Sequence, residues 1–409
     1  MENLIVIAVY AITIIMFGFN SGLSMLNYKN RFAEIPEEVK DIYDEEKYQT
    51  WLKYNMEIFR FSYVRRVVDL ILFLVLLSTG VFVMFKDISL VSTDTSIQLL
   101  IFMGLYYAIS FVFGIIFSYY YQFHIEEKYG FNKTTGKTFV LDKIKSLIMT
   151  IVFGGGLIYL LFTLYTNVGG MFFIYSWGAL VVIMLVVNLV YTSLIVPIFN
   201  KLTPLEEGPL KDKINAMAAK TDYAIDKISV MNSSKRSTKL NAFFAGFGKA
   251  KRIVLYDTLV DKMGEDEIVS VLAHEIGHNK KHHTVYNVFQ MIITLSLYIG
   301  LFIVVLNESV STAFGFDQLH FGFTIIVFGV LLEPIETLLS IFTSKLSRTF
   351  EYQADAFAAN SGGKESMISA LKVLSRENFS NLTPHPLFVK VRFSHPPTAD
   401  RIRAINKLK

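Results

Sequence analysis

Seven apolar runs, each about the 20 residues that a helix needs to cross a hydrocarbon layer roughly 30 Å thick, constrain this chain more than any other feature. They lie near residues 3–24, 67–86, 98–123, 147–166, 171–196, 287–306 and 321–343. With 53% of its 409 residues hydrophobic and only 18% charged, the chain reads as an integral membrane protein, and a soluble domain with a charged surface is excluded. The first run lacks a basic leader and a small-residue cleavage site and is longer than a signal h-region, so it reads as a retained helix.

The segments between the runs alternate in charge. Residues 25–66 carry Lys29, Arg31, Lys40, Lys47, Lys53, Arg60, Arg65 and Arg66, and residues 124–146 carry five lysines. Residues 197–286 and 344–409 are also basic, whereas 87–97, 167–170 and 307–320 contain neither Lys nor Arg. Under the positive-inside rule this alternation gives an outside N terminus, seven spans and a cytosolic C terminus, with every long polar segment on one side. A net charge of +4 with no basic block argues against a nucleic-acid partner. No cysteine is present, so a metal site here must be built from His, Asp or Glu.

The chain divides into residues 1–200 with the first five spans, a polar segment 201–286, spans six and seven in 287–343, and a polar segment 344–409. Within 201–286, "KISVMNSS" and "AKRIVLYDTLV" read as a short hairpin or small sheet. The stretch "EDEIVSVLAHEIGHNKKHH" (265–283) has apolar residues at helical spacing and acids in its first turn, and the helix is expected to run on into the sixth span. In it His274 and His278 stand four apart, so both imidazoles leave one helix face and can supply two ligands of a tetrahedral zinc. Glu275 then lies beside the open coordination position, where it can take a proton from water. A solvated polar helix end would carry the same residues without a metal, but the motif lies at a membrane boundary between small residues, Ala273 and Gly277.

A catalytic zinc has three protein ligands and an open position. "SRTFEYQADAFAAN" (347–360), after the seventh run, offers Glu351 as the third, with Asp355 one turn later able to accept the other ring N–H of a ligand histidine. Carboxylates also occur in or near the apolar runs, at Asp69, Glu333 and Glu336. Facing lipid would be costly, so they face protein, face water or snorkel to an interface. The tyrosines at 106–107 and 119–121 read as an interfacial aromatic belt.

"AHEIGHNKKHH", "FEYQADAFA" and "SHPPTADRI" (394–402) occur in the order and context of the integral-membrane zinc metalloproteases of the CAAX prenyl protease type, which this chain resembles. "EEKYGFNKTT" (126–135), "IFNKLTPLEEGPLK" (198–211) and "NAFFAGFGKAKRIVLYDTLV" (241–260) extend the resemblance over nearly the whole chain. The resemblance implies an all-α membrane protein whose seven helices enclose a chamber, capped by a mostly helical cytosolic metalloprotease domain with a small β-hairpin or sheet. It implies one zinc ion per chain, held by His274, His278 and Glu351, with Glu275 as general base and acid and Asp355 behind a ligand histidine. It further implies that His395 faces the reacting carbonyl, Asn241 lies along the substrate backbone, and Arg401 supports the site.

The expected activity is zinc-dependent hydrolysis of peptide bonds near the C terminus of prenylated proteins, and the expected partners are such a peptide and the bilayer. A membrane quality-control protease using the same zinc site is the alternative, and a non-enzymatic seven-span receptor or transporter the third reading. The location is the endoplasmic reticulum or inner nuclear membrane in a eukaryote and the inner membrane in a bacterium. The lack of cysteine and the richness in Lys, Ile and Asn lean to a bacterium.

Overall fold

The computed structural model describes residues 2–223, 227–245 and 252–408. Its membrane part begins with α1 (Glu2–Lys29), α2 (Glu45–Ser78), α3 (Val81–Ser89), α4 (Thr95–Tyr120), α5 (Gly136–Met149), α6 (Gly156–Asn167) and α7 (Phe172–Val190). Helices α5 and α6 run on through a π-helical turn as one span, and similar turns extend α4 and α7. Then follow α8 (Val196–Phe199), α9 (Pro209–Lys220), α10 (Asp257–Lys262), α11 (Glu265–Lys280), α12 (His283–Val305) and α13 (Glu308–Thr312). The chain closes with α14 (Phe321–Gly362), α15 (Lys364–Glu377), α16 (Pro386–Arg392) and α17 (Thr398–Asn406).

Six of the expected spans are single long helices. The second is not straight: α2 and α3 meet at 66°, and Gly80 between them has φ +70, a left-handed conformation that costs a residue without Cβ nothing. No more than 17% of the apolar window of any of the six is buried in protein, so most of each span's apolar surface lies outside the packed side-chain clusters. The in-membrane carboxylates are partnered: Asn20 Nδ2 donates to Glu333 (2.9 Å), Tyr298 Oη donates to Glu336 (3.1 Å), and Arg65 lies 3.6 Å from Asp69 on the same helix.

The polar segments gather into one cap. Its sheet has strands β1 (Leu202–Pro204), β2 (Ile228–Met231), β3 (Ala242–Ala245) and β4 (Arg252–Tyr256) in the order β1-β2-β4-β3. The central pair is parallel, Ile228 opposite Ile253, and both outer pairs are antiparallel, with Leu202 opposite Met231 and Ala242 opposite Leu255. The two segments expected to form a hairpin or small sheet, β2 and β4, pair in parallel rather than as a hairpin, and with β1 and β3 flanking them they make a four-stranded sheet with β3 at one edge. The cap core joins Ile214, Ile253, Leu255, Leu259, Ile268, Leu272, Ile276, Met367 and Ile405. Residues before the second span belong to it as well: Trp51 is buried, its Nε1 donates to Phe379 O (3.1 Å), and Tyr43 Oη donates to the carbonyls of Ser375 and Ser380.

Two helices place the site. At 1.5 Å per residue α14 is roughly 63 Å long, twice the hydrocarbon thickness, so its second half leaves the apolar layer and enters the cap without a joint. Helix α11 lies in the cap core and is buried from Ile268 to His274. Glu267 accepts the Gly264 N–H (2.9 Å) at its start, which satisfies one of the donors an α-helix leaves free there. The expected continuation of α11 into the sixth span does not occur. The chain turns at Lys281 and His282, the latter with φ +58, and α12 starts afresh at His283.

Candidate active site

Helices α11 and α14 approach closely at Gly277, where an added Cβ would lie 3.1 Å from Ala354 Cα and from Phe357 Cβ. This contact brings His274 and His278 over the turn of α14 that carries Glu351 and Asp355. The Nε2 atoms of His274 and His278 are 3.1 Å apart, and they lie 3.4 and 3.3 Å from the two oxygens of Glu351. One ligand atom from each of the three residues falls within 4.8 Å of the others.

The back of each ring is held separately. Asp355, 1% exposed at its side chain, lies 2.9 Å from His274 Nδ1, and Arg401 of α17 grips the same carboxylate with Nε and Nη2 at 2.8 and 2.5 Å. Bound on both sides, Asp355 stays an acceptor and its bond to Nδ1 turns the bare Nε2 of His274 toward Glu351. Behind His278, Nδ1 meets Nδ1 of His283 at 3.0 Å, and Nε2 of His283 meets Gln353 Oε1 at 2.9 Å. His283 is fully buried and stacks on Phe350, ring centroids 4.1 Å apart and planes 12° apart.

The arrangement fits a cation. The two Nε2 atoms lie 3.1 Å apart and each faces an oxygen of the buried Glu351 carboxylate, so three ligand-type side chains converge on one point that a metal ion could occupy. Without one, a proton takes its place: burial would depress His274, but hydrogen bonds to Asp355 and Glu351 outweigh it and raise its pKa to about 9. Burial also raises the carboxyl of Glu275, against the opposing pull of His274 and His278. Glu275 is partly exposed and has no hydrogen bond or ion pair among the described residues, so it is free to act on a molecule in the site.

Of the expected site residues, the structure brings His274, His278, Glu275, Glu351, Asp355, His395 and Arg401 together. His395, exposed in the turn before α17, has Nδ1 2.8 Å from Glu351 Oε2, so it closes the open side of the cluster. Asn241 lies at the start of the edge strand β3, which packs against α11: its carbonyl accepts the Tyr256 N–H and its side chain the Ala242 N–H. Sequence reasoning missed His283 and Gln353. The available signal was the surplus of histidines in "HEIGHNKKHH", but a continuous helix would have turned residue 283 away from His278.

A membrane-embedded bundle whose cap holds a His-His-Glu cluster beside a free glutamate defines the class of integral-membrane metallopeptidases. Residues 24–201 match the CAAX prenyl protease N-terminal family, described as having five membrane helices, and residues 204–409 match peptidase family M48. The chain is 33% identical to a CAAX prenyl protease 1 homolog of Oryza sativa subsp. japonica, over 97% of this chain and 96% of the relative. It is 34% identical to CAAX prenyl protease 1 of Saccharomyces cerevisiae, over 96% of this chain and 93% of that one. The crystal structure of S. mikatae Ste24p superposes with a TM-score of 0.91 at 33% identity, covering 97% of this chain and 98% of that one. The chain belongs to peptidase family M48, on its CAAX prenyl protease 1 branch, and is a metalloendopeptidase of the membrane.

Proposed function

We propose that this protein is a zinc endopeptidase that cuts near the C terminus of prenylated CAAX proteins, with the cap on the cytosolic side. The convergence of the His274 and His278 Nε2 atoms and the Glu351 carboxylate on one point carries the metal reading. The full-length likeness to enzymes named CAAX prenyl protease 1 supports the substrate class. The lysine- and arginine-rich connections all enter the cap, which favours the cytosolic orientation, and prenylation of a C-terminal Cys-a-a-X takes place on that side.

In this reading His274, His278 and Glu351 hold zinc, which supplies a Lewis acid for the scissile carbonyl and lowers the pKa of a water. Glu275 takes a proton from the attacking water and delivers it to the leaving amine. His395, at the exposed side of the cluster, donates to the carbonyl oxygen as negative charge develops on it. Asp355 and Arg401 keep His274 in one tautomer. The unpaired edge of β3, beginning at Asn241, lies along the peptide backbone and accepts it as an added strand.

The test is cleavage of two C-terminal CAAX peptides, one farnesylated and one not, by purified protein with and without a zinc chelator. Chelator-sensitive cleavage confined to the farnesylated peptide is expected. Equal cleavage of both would overturn the substrate assignment in favour of general membrane-protein quality control.

A further inference from the structure

His283 has no part in the peptidase motif, yet it is 1% exposed and lies between a proposed zinc ligand and α14. Five residues along a continuous α-helix would place it roughly 140° round the axis from His278, facing away from it. The break at Lys281 and His282 cancels that rotation. It returns the His283 ring to within 3.0 Å of His278 Nδ1 and against the face of Phe350.

We infer that His283, oriented by Gln353, is a positioning residue that fixes His278 in the tautomer able to bind the metal. The proton logic runs from the outer end. Gln353 presents Oε1, an acceptor only, so Nε2 of His283 carries the hydrogen and its Nδ1 the lone pair. That lone pair takes the hydrogen from His278 Nδ1, and His278 Nε2 is left bare where it faces Glu351. A reversed amide at Gln353 would reverse every bond in the chain and put a hydrogen on the nitrogen that must face the metal.

The two histidine ligands are therefore unequal. His274 is backed by a carboxylate, which increases its basicity, and His278 by a neutral imidazole, which sets its direction with little added charge. Glu351, Gln353 and Asp355 lie within five residues on α14, so one stretch of helix supplies a ligand and both supports.

This inference rests on the zinc reading, and its test separates the two. Zinc affinity of the full-length protein in detergent is measured by competition with a chromogenic chelator, with no substrate present, beside the melting temperature of the metal-free protein. His283→Phe keeps the stacking and removes both hydrogen bonds; it is expected to weaken zinc binding about 10- to 100-fold. His283→Asn, whose Oδ1 sits near the position of the ring Nδ1, should recover most of that loss, and Gln353→Leu should weaken binding in the same direction. Wild-type affinity in His283→Phe overturns the inference, as does a fall in metal-free melting temperature with no change in affinity. Failure of the wild-type protein to bind one zinc per chain overturns the zinc reading instead.

Discussion

The contact at Gly277 makes the most demanding prediction, because a single methyl group there tests whether helix packing sets the metal geometry. In Gly277→Ala the new Cβ lies 3.1 Å from Ala354 Cα, 3.1 Å from Phe357 Cβ and 3.3 Å from Ala354 O. Carbon atoms want about 3.5–4.0 Å, so α14 must recede by roughly 0.5 Å. Two of the three atoms are backbone and cannot turn aside. Overpacking of this kind costs about 1–3 kcal/mol, and the better helix propensity of Ala returns about 1 kcal/mol, which leaves a net loss of about 0–2 kcal/mol. Stability is thus a poor readout. The recession falls between Glu351 and Asp355, however, and moves both away from His274. If about 1–2 kcal/mol of that overpacking strain is felt at the metal, affinity falls about 5- to 30-fold. Chelator competition on purified protein measures it, with Gly300→Ala as the control, since that glycine of α12 has nothing within 4 Å of its Cβ position. Unchanged metal affinity and activity in Gly277→Ala would refute the claim that this contact positions the site.

Glu275→Gln should keep one zinc per chain and lower kcat about 10²- to 10⁴-fold, because it removes the base and no ligand; metal analysis and peptide turnover check it, and a near-normal rate would remove Glu275 from the mechanism. Glu351→Ala should lose metal and activity together, read by the same two assays, since both oxygens of Glu351 face the histidine pair. The pH dependence follows from His274, whose pKa in the metal-free protein rises from 6.5 to about 9. A raised folded value means that this residue stabilises the metal-free protein fully below pH 6.5 and loses the contribution as pH climbs through about 9. Zinc must displace that proton, so calorimetry in buffers of different ionisation heat should show about one proton released per zinc between those limits, with affinity rising with pH. Zinc uptake without proton release at pH 7–8 would refute the assignment.

What the sequence made legible was whatever repeats within a few residues. The apolar runs announced the spans, and the four-residue spacings of His274 with His278 and of Glu351 with Asp355 placed each pair on one helix face. What stayed hidden depends on contacts between distant segments or on a local break in a regular pattern. The bend at Gly80 lies within an apolar run that hydropathy reads as one span. The parallel pairing of β2 with β4 cannot be told from a hairpin by alternation alone, because both pairings present the same faces. Trp51 and Tyr43 sit in a charged segment ahead of the second span, and only the structure shows their side chains bonding to carbonyls more than 300 residues later. His283 was hidden by the assumption of an unbroken helix.

That break separates two kinds of mechanical connection between the bilayer and the site. Glu351, Gln353 and Asp355 ride on α14, which continues from the apolar layer into the cap as one 42-residue helix with Pro334 in its membrane half, so the proposed ligand and both supports are joined to that span by continuous helix. His274 and His278 ride on α11, which is packed in the cap core and joined to its span only through the turn at His282. Across that turn, α12 meets His278 through the His283 ring. The two halves of the proposed metal site are thus joined differently to the membrane, and the close approach at Gly277 packs one against the other.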